Sequence, residues 1–240
     1  MEDRFINRKL EKKIHSVQKI NDILNSESDG DAKVISFVNP FSYAIVAKNS
    51  EVTDAVDYWF CDGSLMCALT NLRRDEHIKR ASFDFSSIAS DVIAHAESNR
   101  IKVGFVGAKE DEIHEAIRNI RAFYPDLDVV FAHNGYISDL EYQTVLDDLK
   151  DSHAEFLIVG MGTPHQEKFA IDCKKNVKSL NLIFTCGGFL TQTAIKGDYY
   201  HPLVKKLGLR WLQRAFLHSH VRKRLVRDYP VFILRYLFDR

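Results

Sequence analysis

What the chain lacks narrows its chemistry first. Cysteine is scarce: Cys61, Cys67, Cys173 and Cys186 form no C-x-x-C pair and no His/Cys metal spacing. Reduced thiols in a cytosolic protein are therefore expected, with neither a disulfide framework nor a metal site. Long apolar runs are missing too. No stretch approaches the roughly 18 residues of a membrane span, and the charged start over residues 1–9 does not resemble a signal peptide. Gly104 and Gly107 do not complete a G-x-G-x-x-G, and no acidic residue closes a second strand at the dinucleotide distance. No cofactor is expected, and a nicotinamide-dependent oxidoreductase is disfavoured. Net charge is absent as well, with 33 Lys and Arg against 33 Asp and Glu.

That balance conceals an asymmetry. From Leu203 to Arg240, ten basic residues face only Asp228 and Asp239, which leaves +8 for the first 202 residues to offset. A segment so charged, carrying Trp211, Phe216, Phe232 and Phe238, suits an anionic membrane surface or a phosphate-bearing ligand. Nucleic acid would suit the charge, but no nucleic-acid-binding module accompanies it. The remainder is ordinary for a globular protein: 240 residues, 45% apolar and 28% charged. This favours one generous domain, or one domain with an appendage.

Along the chain, Leu10, Ile14, Val17, Ile20, Ile23 and Leu24 fall at helical spacing and predict one amphipathic helix over 9–24. A loop follows at 26–31. Strands are expected at Val34–Val38, Tyr58–Cys61, Lys102–Gly107, Leu127–Ala132, Phe156–Val159 and Leu180–Cys186. Helices are expected at 42–56, 85–98, 110–123, 138–150 and 165–178. This alternation predicts an α/β fold, Rossmann-like, with a mainly parallel sheet and helices on both faces, plus a basic helical C-terminal appendage. The expected divisions are 1–30, 31–198 and 199–240. Pro230 should break or kink the last helix.

In such a sheet the site forms at the carboxyl ends of the strands. Asn39 closes the first core strand before Pro40. Its carboxamide can donate and accept, although Asn-Pro is also plain turn chemistry. Asp62-Gly63 closes the second, where a partly desolvated carboxylate can serve as a base, or where an ordinary turn can sit. Arg80 lies in a polar stretch whose guanidinium forks suit phosphate. Gly160-Met-Gly-Thr-Pro-His-Gln-Glu167 reads as strand, turn and first helical turn. Its glycines would let the backbone approach a ligand, and Pro164 opens the helix without losing a hydrogen bond. A simple strand-to-helix turn would look the same.

In order, these residues resemble the WecG/TagA/CpsF family of bacterial glycosyltransferases, from about Val34 to Arg227. The likeness rests on Asn39, Asp62-Gly63, Arg80-Ala-Ser-Phe-Asp84, Gly104-Phe-Val-Gly107, Gly135-Tyr136, Gly160 to Glu167, Gly187-Gly188 and Leu209-Arg-Trp-Leu-Gln-Arg214. It implies inverting, metal-independent transfer of a hexose from a UDP-sugar to a polyprenyl-diphosphate-linked acceptor, in surface polysaccharide synthesis on the inner face of the plasma membrane. By residue match it implies Asp62 as general base. Asn39, Gly63, Arg80, Gly107, Tyr136, Gly160, Gly162, Pro164, Gln166, Glu167 and Gly188 would line the substrate site. Arg214, Arg222 and Arg224 would neutralise diphosphate and help seat the appendage on the bilayer. The chain departs from the family pattern at Phe37, at Ser64–Cys67, at Leu190–Gln192 and at Arg210, so the resemblance does not specify the sugar. A catalytically silent sugar-nucleotide-binding or scaffold protein of the same fold is the alternative.

Overall fold

Short apolar runs become strands here because the sheet buries both of their faces. Every residue of Val103–Gly107 and Leu182–Thr185 is buried, as are the first four of Phe156–Gly160. The computed structural model describes residues 5–27, 30–195 and 222–238. Its sheet contains β1 (Ile14–His15), β2 (Lys33–Val38), β3 (Tyr58–Cys61), β4 (Val103–Gly107), β5 (Val129–His133), β6 (Phe156–Gly160) and β7 (Leu182–Thr185). The seven strands lie in the order β1-β3-β2-β7-β6-β4-β5, and every pairing is parallel.

Alternate strand residues point to opposite faces and so build two cores. On one face Val34, Val38, Trp59, Leu157 and Ile183 meet α3 (Pro40–Val46), α5 (Ser64–Asn71), α8 (Tyr142–Asp151) and α9 (His165–Asn176). On the other, Ile35, Phe60, Phe105, Ile158 and Phe184 meet α6 (Ala89–Ser98), α7 (Glu110–Arg121) and α10 (Phe189–Ile195). The expected α/β architecture with helices on both faces is present, and the sheet is wholly rather than mainly parallel.

Three local expectations are corrected. Residues 9–24 are not one helix but α1 (Arg8–Lys12), the edge strand β1, and α2 (Lys19–Leu24). Their apolar residues serve opposite faces: Leu10 and Ile14 join the first core, while Ile20, Ile23 and Leu24 join the second. A single helix could not reach both. The break is fixed by Trp59, whose N–H donates to the Lys13 carbonyl at 2.9 Å, and by Lys13 Nζ, which donates to the Asp54 and Val56 carbonyls at 2.7 and 2.8 Å. Those carbonyls belong to the end of α4 (Ser50–Ala55). The expected helix over 42–56 is likewise two, α3 and α4, because the Asn49 side chain accepts from Val52 N–H and starts the second. The helix expected from Phe85 begins only at Ala89. Before it the chain turns about Asp84, whose side chain accepts from Ser86 N–H at 2.8 Å.

At the C-terminus, α11 (Tyr229–Phe238) follows a π-helical turn over Arg224–Asp228. Pro230 is the second residue of α11. Its ring and missing N–H are incompatible with a regular ladder back to residue 226, and the wider turn relieves that conflict. Phe232 and Tyr236 bury against Phe5 and Tyr43, so α11 docks on α3 and also touches α5.

The chain leaves β2 toward β3 on one side, whereas β7 is reached from β6 on the other. Connections therefore diverge between the neighbouring ends of β2 and β7. In a parallel sheet this is where a crevice opens.

Candidate active site

A cleft of about 340 Å³ lies at that point. Its walls come from the segments following four strands: Asn39, Phe41 and Ser42 after β2, Asp62 after β3, Gly162, Thr163 and Gln166 after β6, and Cys186 to Phe189 after β7. Phe37, Ser82, Phe83, Asp84, Thr185 and Gln192 complete it. The volume falls within the range of small-ligand sites, and the lining combines aromatic surface with a few convergent polar groups.

Asn39 is both a cap and a wall residue. Its Oδ1 accepts from Phe41 N–H at 3.0 Å and Ser42 N–H at 3.1 Å, opening α3, while its own N–H donates to Ser42 Oγ. Two backbone donors thus occupy the oxygen, and Nδ2 makes no hydrogen bond among the described residues. Of the two sequence readings of Asn39, the capping of a turn is observed in these bonds, and the residue also lines the cleft.

Two carboxylates line the cleft, and Arg80 stands between them. Its Nη2 lies 2.6 Å from Asp84 Oδ2 and 3.4 Å from Asp62 Oδ1. Asp84 is saturated, since Oδ1 also accepts from the Ser86 N–H and hydroxyl. Burial alone would raise the Asp84 carboxyl. The Arg80 guanidinium and the Ser86 hydrogen bonds together outweigh it and hold that carboxyl below its ordinary range. Among the described residues the Asp62 side chain makes only the long contact to Arg80, and it is 22% exposed. Gly63, at φ 89, caps α5 and turns the chain away from above Asp62.

The Gly160–Glu167 block divides in its roles. Gly162, at φ 75, lines the cleft, and an added Cβ would meet nothing within 4 Å. Gly107 and Gly160 do not line it. A Cβ on Gly107 would lie 2.5 Å from the Gly160 carbonyl oxygen, and one on Gly160 would lie 2.8 Å from that of Gly187. These glycines let the ends of β4, β6 and β7 pack backbone against backbone, not against a ligand. Pro164 precedes α9 as its N-cap rather than as its first residue, and lies outside the lining. Gln166 lines the cleft but is engaged at both ends: Oε1 accepts from Gly187 N–H at 3.0 Å, and Nε2 donates to Glu167 Oε1 at 2.9 Å. Glu167 is fully buried beneath it. Burial pushes the Glu167 carboxyl up against the opposing hydrogen bonds from Gln166, Ser36 and Thr163.

The structure thus gathers Asn39, Asp62, Gly162, Gln166 and Gly188 at the cleft, with Arg80 and Glu167 behind them. Tyr136 is not brought in: it follows the opposite edge strand β5 and is 74% exposed. Arg222 is exposed on the C-terminal helical segment, Arg224 opens the π turn, and Arg214 lies outside the described residues. Cleft residues that the sequence did not single out as site residues include Phe41, Ser42, Ser82, Asp84, Thr163, Thr185 and Cys186, whereas Phe37 and Gln192 were marked there as departures from the family pattern. Asp84 had a legible signal, a carboxylate four residues after Arg80. So had Thr185, a polar residue closing a buried apolar strand, which requires a partner.

A profile described as the glycosyl transferase WecG/TagA/CpsF family matches residues 9–240. The chain is 44% identical over 207 residues, 86% of each sequence, to a UDP-Gal:alpha-D-GlcNAc-diphosphoundecaprenol beta-1,4-galactosyltransferase of Shigella boydii. It is 29% identical over 143 residues, 60% of this chain and 54% of the relative, to an N-acetylglucosaminyldiphosphoundecaprenol N-acetyl-beta-D-mannosaminyltransferase of Staphylococcus aureus.

Proposed function

The chain belongs to the WecG/TagA/CpsF glycosyltransferase family, and from that premise we propose that it is an inverting hexosyltransferase of surface polysaccharide synthesis. The donor is a UDP-sugar, with UDP-galactose favoured by the 44% identical relative, and the acceptor is a polyprenyl-diphosphate-linked N-acetylglucosamine. Asp62 is the general base. One observation carries that assignment: of the two carboxylates lining the cleft, Asp84 is consumed by Arg80 and Ser86, whereas among the described residues Asp62 is held only by the long Arg80 contact. Asp62 takes the proton of the acceptor hydroxyl as that oxygen bonds to the anomeric carbon, and the bond to UDP breaks with its electron pair leaving on the diphosphate. Arg80 holds Asp62 Oδ1 and so orients the base.

The departing diphosphate needs positive charge. Among the described residues, no Lys or Arg lines the cleft. This supports the basic C-terminal segment, with Arg214, Arg222 and Arg224, as the source of that charge. No helix among the described residues is long and apolar enough to cross a membrane. The exposed apolar residues of α11, Val231, Leu234 and Phe238, recur at helical spacing beside Arg235 and support peripheral binding to an anionic bilayer at its inner face.

The decisive test is Asp62→Asn, assayed for galactose transfer from UDP-galactose to an N-acetylglucosaminyl-diphosphoryl lipid. Transfer should fall by about 10²- to 10⁴-fold while the melting temperature holds. Undiminished transfer would remove Asp62 as the base. No turnover of any UDP-sugar by the wild-type protein would favour the silent-scaffold alternative.

A further inference from the structure

Two strand-borne hydroxyls and one acid make an uncommon arrangement under the cleft floor. Ser36 sits inside the apolar run of β2 and Thr185 closes β7; both are fully buried. Their oxygens are 2.8 Å apart. Ser36 Oγ also donates to Glu167 Oε1 at 3.0 Å, so its only hydrogen is committed and Thr185 must be the donor of the pair. Thr163, from the turn after β6, donates to the same Oε1 at 3.2 Å, and Gln166 Nε2 donates to it at 2.9 Å. Gln166 in turn holds Gly187 N–H, in the turn after β7. One oxygen thus joins β2 to the segment after β6 directly, and reaches the turn after β7 through Gln166.

We propose that Glu167 is a positioning residue of the cleft: its carboxyl ties Ser36 of β2 to Thr163 and Gln166 after β6, and through Gln166 it sets the turn after β7 that forms the cleft's far wall. This deepens the transfer-site reading and rests on it. Glu167 does not itself line the cleft and touches no substrate.

Burial favours the protonated, neutral form of this side chain. The groups facing it are hydroxyls and an amide: Ser36 from β2, Thr185 of β7 behind Ser36, Thr163 from the turn, and Gln166 on its own helix. Its titratable or charged neighbours in sequence, His165 and Lys168, are both exposed. Oε2 is buried and finds no hydrogen-bond partner among the described residues. An ionised oxygen in that position would be costly, whereas a protonated one forgoes only a single bond. Burial accordingly raises the acid above its ordinary value. The folded state then binds this proton more tightly than the unfolded chain. Stability drawn from the group is complete at low pH and is lost as pH rises above the unfolded value toward the folded one.

The test compares wild type with Glu167→Gln and Glu167→Leu. Glutamine keeps the accepting oxygen without an ionisable proton. Its melting temperature relative to wild type should rise as pH climbs above the ordinary carboxylate range, because only in wild type does the folded state hold a proton that the unfolded chain releases. A difference that stays constant with pH overturns the neutral acid and the proposal with it. Leucine removes the accepting oxygen. It should lower kcat/KM by about 10- to 100-fold, with glutamine restoring most of that loss. Equal rates in leucine and wild type overturn the positioning role. If Glu167→Leu does not fold, Glu167→Asp, which withdraws the carboxyl by one methylene, takes its place with the same expectation. The melting comparison needs no substrate. It judges Glu167 even if wild type transfers no sugar, a result that would count against the transferase reading instead.

Discussion

Two glycines of the same sequence motifs should respond oppositely to alanine. At Gly107 the backbone is at φ +150, and an added methyl carbon would stand 2.5 Å from the Gly160 carbonyl oxygen and 2.9 Å from Gly160 Cα. Neither neighbour is a flexible side chain. Both belong to β6, hydrogen-bonded in register beside β4, so relief requires prising the two strands apart. Backbone strain and overpacking each cost about 1–3 kcal/mol, and together about 3–5 kcal/mol. In a chain of this size that lowers the melting temperature by roughly 6–20 °C. Gly162→Ala differs in kind. Its φ of +75 imposes strain alone, because nothing lies within 4 Å of the new methyl. The cost there is about 1–2 kcal/mol, or roughly 2–8 °C. That methyl, however, enters the cleft, so kcat/KM should drop by about ten-fold or more even where the protein is fully folded. Thermal unfolding by circular dichroism, with transfer assays well below both transitions, separates the effects. Gly107→Ala melting within 2 °C of wild type (about 1 kcal/mol or less), or Gly162→Ala being the less stable of the two, would refute the division into packing and cleft glycines.

Three further outcomes follow from the same geometry. Asp84→Asn removes a buried carboxylate held low by Arg80 and Ser86, and should destabilise the protein at neutral pH. The stability that this group supplies is present above its unfolded value and is lost as pH falls through its lowered folded value. The gap between variant and wild type, followed by urea unfolding, should therefore narrow in acid; a gap independent of pH would contradict it. Leu234→Glu on the exposed side of α11 should weaken sedimentation with anionic vesicles and leave melting unchanged. Deletion of 203–240 should weaken it further, and unchanged vesicle binding in that deletion would confine the charge to the cleft. Phe232→Ala empties a contact with Phe5 and Tyr43 and should cost about 3–5 kcal/mol if α11 is integral to the core; a loss under 1 kcal/mol would show α11 to be dispensable for folding.

The sheet was legible because its strands are buried on both faces and so appear as unbroken apolar runs. Val103–Gly107 and Phe156–Gly160 lie within a residue of where the sequence puts them. Periodicity failed where tertiary pairing outweighed it. Ile14 and His15 keep helical spacing with their neighbours, yet Trp59 and Phe60 draw them onto the sheet edge as a two-residue strand no local pattern announces. Asn39 and Asp62 were legible as chemistry because each closes a strand. The role of Gly107 and Gly160 was not: a glycine that admits a ligand and one that admits another strand are the same letter. Only the neighbour's position distinguishes them. Ser36 and Thr185 are a case between. Polar residues within apolar strands demand partners, but that they share Glu167 depends on β2 and β7 being neighbours. Local periodicity does not fix that order.

The placement of α11 bears on how a cleft walled by carboxylates could serve a diphosphate. Asn39 caps α3, and Asp62-Gly63 leads into α5; these are the helices on which α11 rests. Tyr236 also ties α11 to α1 and to the end of α5. Its hydroxyl donates to Glu11 at 2.9 Å, and its carbonyl accepts from Arg73 Nη1 at 2.8 Å, just beyond the end of α5. The far end of the basic segment is therefore anchored to the elements that present the proposed base and the Asn39 carboxamide. Under the proposed function, the basic segment supplies the positive charge that a departing diphosphate needs, in place of a Lys or Arg buried permanently beside Asp62 and Asp84.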